Sequence, residues 1–443
     1  MHGKLYTDLV VLYMKFAFFT LGCKVNQYET QAMEKLLTER GHSLGDFAEV
    51  CDGYIINTCT VTATGDKKSR NMIRRARKLN PDAVIGVCGC YAQISPDEVE
   101  KLPVDVISGT GDRIGFLDRM EQAAKEKIRL RNVDEARKRH IFEILPPGGL
   151  AARTRAMLKV EDGCDNFCTY CIIPFARGPV RSLPLEAAVA QAKQLAEEGY
   201  LELVVTGIEI SSWGKDLPGK PELTELLAAL CEAVPQVRIR LGSLEPRTVT
   251  EEFCCRLCGY GNLCPQFHLS LQSGCDTVLK RMHRRYDTAR YEESVRLLQQ
   301  YFHGCAVTTD LIVAFPGETE EEFADSLRFI DRCGLSAVHV FPYSRRAGTL
   351  ADRMEGQHGN ETKEYRSQEA CLVAAELSRR YRESLIGTEQ EVLFEQDEDG
   401  YSTGHAPNFV QVFLPQTGLH NVVRRVRITG LRGEGLVAEM IED

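Results

Sequence analysis

Six short apolar runs between Ala156 and Phe341 (MLKVED, LELVVTG, QVRIRLGS, FHLSL, AVTTDLIVAF and SAVHVF) alternate with stretches of helical period. Strands separated by helices do not pair as hairpins. Each returns to its sheet through a crossover, which produces parallel strands covered by helices. Six such units predict a partial (β/α)6 barrel, whose chemistry gathers at the carboxyl ends of its strands.

Ahead of this repeat lies a second, shorter α/β alternation. KFAFFTLG is followed by Met33, Leu36 and Leu37 at helical spacing, then GYIINT, a basic segment from Asp66 to Lys78, AVIGVCGC and VDVIS. This pattern predicts a parallel α/β domain over residues 14–112. Residues 125–140 carry seven Lys/Arg against three acids and precede PPGG, so residues 113–152 are expected to be a linker between that domain and the barrel at 153–383. After a long helix near 363–385 the texture changes. EQEVLFE, GYSTG, FVQVFLP, VVRRVRI and GLVAEMI alternate at period two with Gly-rich turns, predicting a small all-β barrel over 384–443. Met14 stands directly before the first strand, so residues 1–13 are expected to be an over-extended start without function.

The chain of 443 residues carries a net charge of −9, which excludes a wholesale polyanion binder and leaves only local basic patches for nucleic acid. Lys15 interrupts the one apolar stretch near the start, and no small-residue cleavage site follows. No membrane span and a cytoplasmic location are therefore expected. In a reducing compartment an odd count of 17 cysteines disfavours a disulfide framework and favours metal or redox chemistry.

Two cysteine groups carry that chemistry. Cys164, Cys168 and Cys171 form CxxxCxxC at the exit of the first barrel strand. Three thiolates on a four-iron cluster leave one iron open to a substrate or cofactor. Cys23, Cys59 and Cys90 each follow one of three successive strands of the first domain, where neighbouring strand ends bring distant residues together. Cys88 lies two residues before Cys90, and spacing alone does not choose between them. Cys254, Cys255, Cys258 and Cys264 follow a helical stripe that no His or Asp completes into a tetrahedral zinc set.

CxxxCxxC after the first strand of a βα barrel resembles the radical S-adenosylmethionine superfamily. GCKVNQYE, NTCTVT and GCYAQ ahead of it, with a β barrel behind it, closely resemble the methylthiotransferases from about Met14 to Asp443. The resemblance implies two iron–sulfur clusters. One is a 4Fe–4S cluster on Cys164, Cys168 and Cys171 that cleaves S-adenosylmethionine to a 5′-deoxyadenosyl radical. The other is an auxiliary cluster on Cys23, Cys59 and Cys90 that hands over sulfur, and the last domain is a TRAM barrel. TGIEISSWG, SLQSGCDTVLKRMHRRY and FPYSRRAGT look most like the branch that converts N6-threonylcarbamoyladenosine beside the tRNA anticodon into its 2-methylthio form, although Glu209 stands where that branch carries histidine.

Candidate S-adenosylmethionine contacts lie at the strand ends: Gly207 in TGIE, Ser243 and Glu245 in LGSLEP, Gln272, Arg284 or Arg285, Val313 before FPGE, and Tyr343. An unpaired anticodon loop would expose the target carbon. Lys67, Lys68, Arg70, Arg74, Arg75, Arg77 and Lys78 form a candidate phosphate-contacting helix. From Ser384 onward four Arg face ten acids, so RNA contacts there would rest on Arg424, Arg425 and Arg427 with Phe409 and Phe413. The expected partners are tRNA and a cytosolic reductant, with the protein a monomer. The alternative is methylthiolation of a ribosomal protein side chain.

Overall fold

The structure, a computed structural model, describes residues 13–148 and 154–441 and divides into units at 1–136 and 137–443. The expectation for residues 1–12 lies outside the described residues.

In the first unit β1 (Lys15–Thr20), β2 (Ser43–Gly45), β3 (Gly53–Thr58), β4 (Val84–Gly89), β5 (Val106–Ser108) and β6 (Leu130–Asn132) form one parallel sheet in the order β2-β1-β3-β4-β5-β6. The central strands β3 and β4 are buried at every position, as a sheet covered on both faces requires. Helices α1 (Lys24–Glu39), α2 (Ala63–Leu79), α3 (Cys90–Ile94), α4 (Pro96–Glu100) and α5 (Arg113–Glu126) supply the crossovers. One core layer holds Tyr54, Ile56, Ile73, Ile85 and Val87, and the other holds Phe16, Ile55, Phe116, Leu117 and Met120.

The expected linker is corrected here. Residues 113–132 belong to the first unit as α5 and the edge strand β6, because Phe116, Leu117, Met120, Ala123 and Ala124 present an apolar stripe that the sheet buries. The charge run 125–140 masks that stripe, and the unit ends at Ala136 instead.

All six barrel runs form parallel strands in the second unit. β7 (Arg155–Lys159) pairs with β10 (Glu202–Thr206), and β10 with β11 (Arg238–Leu241). The short β8 (Glu161–Asp162) and β9 (Arg181–Ser182) pair with each other between them. β12 (Ser243–Leu244), β13 (Gln266–Leu269), β14 (Ala306–Val313) and β15 (Ala337–Pro342) make a second parallel set. The third predicted strand thus breaks at Gly242 and serves both sets, with an Ile239–Leu263 bridge beside the break. One core cluster runs from Leu158 through Val205, Leu241, Leu269 and Val313. The helix Asn360–Ser384 leads into a closed five-stranded barrel of β16 (Glu389–Glu398), β17 (Tyr401–His405), β18 (Gln411–Leu414), β19 (Val422–Arg432) and β20 (Gly435–Met440). Each of its strands falls on a run that period-two alternation marks.

Candidate cluster sites and nucleic-acid face

Cys23, Cys59 and Cys90 sit on turns that the end of the sheet holds side by side. Thr20 lies opposite Asn57, and Thr58 opposite Gly89, so the turns after β1, β3 and β4 emerge from adjacent strands. Asn26 Nδ2 donates to Leu21 O at 2.7 Å and to Thr58 O at 3.0 Å, tying the first two turns together. Thr58 Oγ1 donates to Cys88 O at 2.6 Å and ties in the third. A side chain on Gly22 would begin 3.0 Å from Cys59 Cβ, so the turn that presents Cys23 packs directly on Cys59. Cys23 is the exposed N-cap of α1, Cys59 is half-buried ahead of α2, and buried Cys90 opens α3.

Cys88 takes a different path. Gly89 has φ +94°, which breaks the strand alternation, and Cys88 lies in the core layer with Phe16 and Ile55 while Cys90 begins the helix. Among the described residues no three Cys, His, Asp or Glu side chains gather around a single-ion position. A multi-iron cluster is larger than one ion and takes its thiolates from farther apart.

In the second unit, Cys164, Cys168 and Cys171 lie on a loop fixed through its backbone. Cys164 N donates to Gly178 O at 3.0 Å, Thr169 N to Met282 O at 3.1 Å and Cys171 N to Cys168 O at 2.9 Å. Ala351 N donates to Thr169 O at 2.8 Å, so the segment after the sixth strand also holds the loop. Burial pushes the Cys164 thiol well above its ordinary range and the Cys171 thiol up to about 12. Arg284 Nη1 donates to Cys168 Sγ at 3.1 Å, Nε donates to Tyr286 OH at 2.9 Å, and the guanidinium lies 4.8 Å from the Tyr286 ring centre. Two thiols that resist ionisation alone, with a third held against a fixed cation, are suited to a metal cluster that takes the place of their protons. The donor set fits a four-iron cluster.

Cys168, Glu245 and Arg284 line one recess together with Asn166, Arg247 and His283. Glu245 is held by Arg247 Nε at 2.9 Å, and its backbone N donates to Ser211 Oγ at 2.9 Å. Gly207 backs onto buried Glu161, whose Oε2 accepts from Glu209 N at 2.7 Å. Burial raises the Glu161 carboxyl well above its usual range, with Asp162 and Glu209 adding to the shift. Sequence reasoning does not single out Glu161; its place three residues before Cys164 on a strand is the available signal. Asp162 beside it is held low despite its burial by Lys159, Arg177 and Arg181.

Other candidates divide. Gln272, at φ +70°, bridges to Leu311, and its carbonyl accepts from Ile312 N at 2.8 Å. Ser243 is exposed in β12 opposite His268. Val313 is wholly buried, and its carbonyl accepts from Tyr343 N at 2.9 Å. Tyr343 packs on Phe315 in a cluster that includes Tyr170 of the cysteine loop. Val313 and Tyr343 therefore shape the wall through packing. Cys264 lies buried beside Arg240 and Arg238, whereas Cys255 and Cys258 are exposed, so the four cysteines of that stretch do not meet at one point.

On α2, Lys67, Lys68, Arg74, Arg75 and Lys78 are all exposed and line the outer side of the helix. Arg70 leans over the Tyr91 ring and donates to its hydroxyl at 3.2 Å. Arg77 is spent within the fold: it bonds Pro81 O and Ala83 O at 2.8 Å each and pairs with Asp105 at 2.6 Å. It therefore leaves the candidate RNA set, because the turn that follows the helix needs its carbonyls satisfied. In the last barrel Arg425 pairs with Glu389 at 2.7 Å, as does Arg427 at 3.2 Å, while Arg424 is exposed.

The chain is similar to known proteins in sequence and in fold. The Radical SAM superfamily profile matches residues 158–330, and that of the uncharacterized protein family UPF0004 matches 15–109. The chain is 42% identical over 408 residues, 90% of each chain, to a Bacillus subtilis protein named threonylcarbamoyladenosine tRNA methylthiotransferase MtaB. A Thermotoga maritima protein of the same name is 36% identical and covers 96% of this chain and 97% of its own. A Moorella thermoacetica protein named tRNA-2-methylthio-N(6)-dimethylallyladenosine synthase is 33% identical, covering 96% and 98%. Among solved structures, the radical S-adenosylmethionine methyltransferase TsrM from Kitasatospora setae, with cobalamin and a [4Fe-4S] cluster bound, shares the fold at a TM-score of 0.56 and 15% identity, covering 77% of this chain and 74% of that one.

Proposed function

Because the chain belongs to the radical S-adenosylmethionine tRNA methylthiotransferase family, we propose that it places a methylthio group on carbon 2 of N6-threonylcarbamoyladenosine beside the tRNA anticodon. The observation that carries this reading is near-full-length similarity at 42% and 36% identity to relatives named for that nucleoside, against 33% for a relative named for dimethylallyladenosine.

Carbon 2 of an adenine bears a hydrogen that is neither acidic nor readily displaced, so acid–base groups alone do not open it. Cys164, Cys168 and Cys171 would hold a four-iron cluster, which would supply reducing electrons and one open iron for S-adenosylmethionine, and Cys23, Cys59 and Cys90 would hold a second cluster, which would supply sulfur. The remaining work belongs to the chain. Arg284 sets a positive charge 3.1 Å from Cys168 Sγ, where it would offset the negative charge of a thiolate-held cluster. Glu245, steadied by Arg247 at the rim of the same recess, offers a carboxylate to the ribose hydroxyls of the cofactor. Glu161 fixes the backbone of the 206–209 loop against the methionyl end. Tyr170, Phe315 and Tyr343 close the apolar side of the loop, which would keep water from a cluster seated there. The exposed cations of α2 bind tRNA phosphates, in the cytoplasm, with a cellular reductant supplying electrons.

Nucleosides from cells lacking the protein, analysed by mass spectrometry, test this. Loss of the 2-methylthio mark on threonylcarbamoyladenosine, restored by the wild-type gene and not by Cys168→Ala, is expected. An unchanged nucleoside profile with an altered ribosomal protein overturns the substrate, and a loss confined to the dimethylallyl nucleoside reassigns the branch.

A further inference from the structure

The stretch EEFCCRLCG holds two exposed thiols that the chemistry above leaves unused. The helix Glu251–Leu257 begins at a Thr250 cap that accepts from Phe253 N at 3.1 Å, and Cys258 closes it with helical φ and ψ of −64° and −17°. Cys255 and Cys258 are therefore three residues apart on one helical turn. That spacing sets their Cα atoms roughly 5 Å apart, inside the range that a disulfide spans.

Cys258 Sγ is turned back along the helix, 3.7 Å from Cys255 O. Cys255 lies within hydrogen-bonding reach of the Tyr301 hydroxyl, which itself donates to Glu251 Oε1 at 2.8 Å. Closing the pair needs Cys255 Sγ to leave Tyr301 and the helix end to shift so that the two sulfurs meet. The helix end permits that shift: Cys258 is the last helical residue, and Gly259 after it has open space around its α carbon. Cys254, next in sequence, is wholly buried in the barrel core and does not compete.

We propose that Cys255 and Cys258 form a reversible dithiol–disulfide site that exchanges with low-molecular-weight disulfides. One cysteine, as thiolate, attacks the small disulfide, forms a mixed disulfide and expels one small thiolate. The second cysteine attacks the protein sulfur of that adduct, closes the Cys255–Cys258 bond and expels the other. The protein loses two electrons and two protons, and the small disulfide gains them as two thiols. The site lies on a helix that carries none of the cluster cysteines, so it takes up oxidising equivalents without involving them.

The test uses the cluster-loaded protein, incubated anaerobically with oxidised glutathione, alkylated and digested with trypsin. Cleavage after Arg256 separates the two cysteines, so the disulfide appears as two joined peptides, with an intact-mass loss of about 2 Da and no retained glutathione. Cys258→Ser is expected to hold one glutathione at Cys255, and Cys255→Ser one at Cys258, because the resolving thiol is gone. Iron content and the visible spectrum are expected to stay unchanged in both variants. Wild-type protein that retains glutathione at both positions, that joins Cys255 to Cys305 or Cys254 instead, or that does not react at either cysteine overturns the proposal. None of these outcomes bears on the tRNA reading.

Discussion

A methyl group at Gly207 would stand 2.7 Å from Glu161 Oε2 and 2.9 Å from its Cβ, so no side chain fits between the first and second barrel strands at that point. Gly207→Ala is expected to push the loop off Glu161 at a cost of about 1–3 kcal/mol, the usual toll of overpacking. Thermal unfolding and equilibrium dialysis with S-adenosylmethionine measure both consequences; a variant with native melting and native affinity sinks the positioning role. The residue scale also shows what patterns in a sequence convey. Cys164, Cys168 and Cys171 are legible because chemistry fixes their spacing. Arg77 is not, because a cation on a helix is silent about which side it serves until Asp105 and two carbonyls are seen around it. Cys88 and Cys90 separate only through the positive φ of Gly89.

On α2 the two kinds of cation make opposite predictions. Charge reversal at Lys67, Lys68 and Arg74 is expected to weaken tRNA binding and flatten its salt dependence by roughly one in log–log slope for each phosphate left without its cation, with melting unchanged. Arg77→Ala is expected to lower the melting temperature while leaving the salt slope alone. Filter binding across a salt series separates them, and equal behaviour contradicts the division of the helix into two faces. A second element-scale prediction concerns β10. Burial alone would raise the Glu202 carboxyl, but the two-pronged bond from Arg240, at 2.8 and 3.0 Å, with Arg155 and Arg238 nearby, brings it down to about 2. A folded-state value below the unfolded one contributes stability that is complete above about pH 4.5 and is lost as pH falls toward 2, about 3 kcal/mol in all. Glu202→Gln is expected to remove that part of the acid limb in urea unfolding at pH 3 to 6. An unchanged limb shows that the carboxylate is not the group responsible.

At the scale of the whole molecule, the order of α/β domain, parallel barrel and terminal β barrel is readable because the apolar period changes from one region to the next. Strand existence follows from runs such as GYIINT and AVTTDLIVAF. The three-residue edge strand β2 is not visible, since SLG carries no period, and residues 113–132 are hidden by surrounding charge. Because the first unit owns two core layers, residues 14–136 expressed alone are expected to unfold in one cooperative calorimetric transition, whereas ending the fragment at 112 removes α5 and β6 and is expected to yield aggregation or a molten state. Equal stability of the two fragments contradicts the boundary.

The seam between the second unit's barrel and its terminal β barrel is built in a particular way. Arg238 donates to Glu391 O at 2.6 Å, and Arg240 donates to Pro407 O at 2.9 Å and approaches Ala406 O. These guanidinium groups grip main-chain oxygens, which every amino acid provides. Identity is demanded at two other places on the seam, where Arg155 grips the Glu395 carboxylate at 2.8 and 2.9 Å and lies with Arg240 over the Phe409 ring, so a foreign cap would need an acid and an aromatic there besides a main chain on the same path.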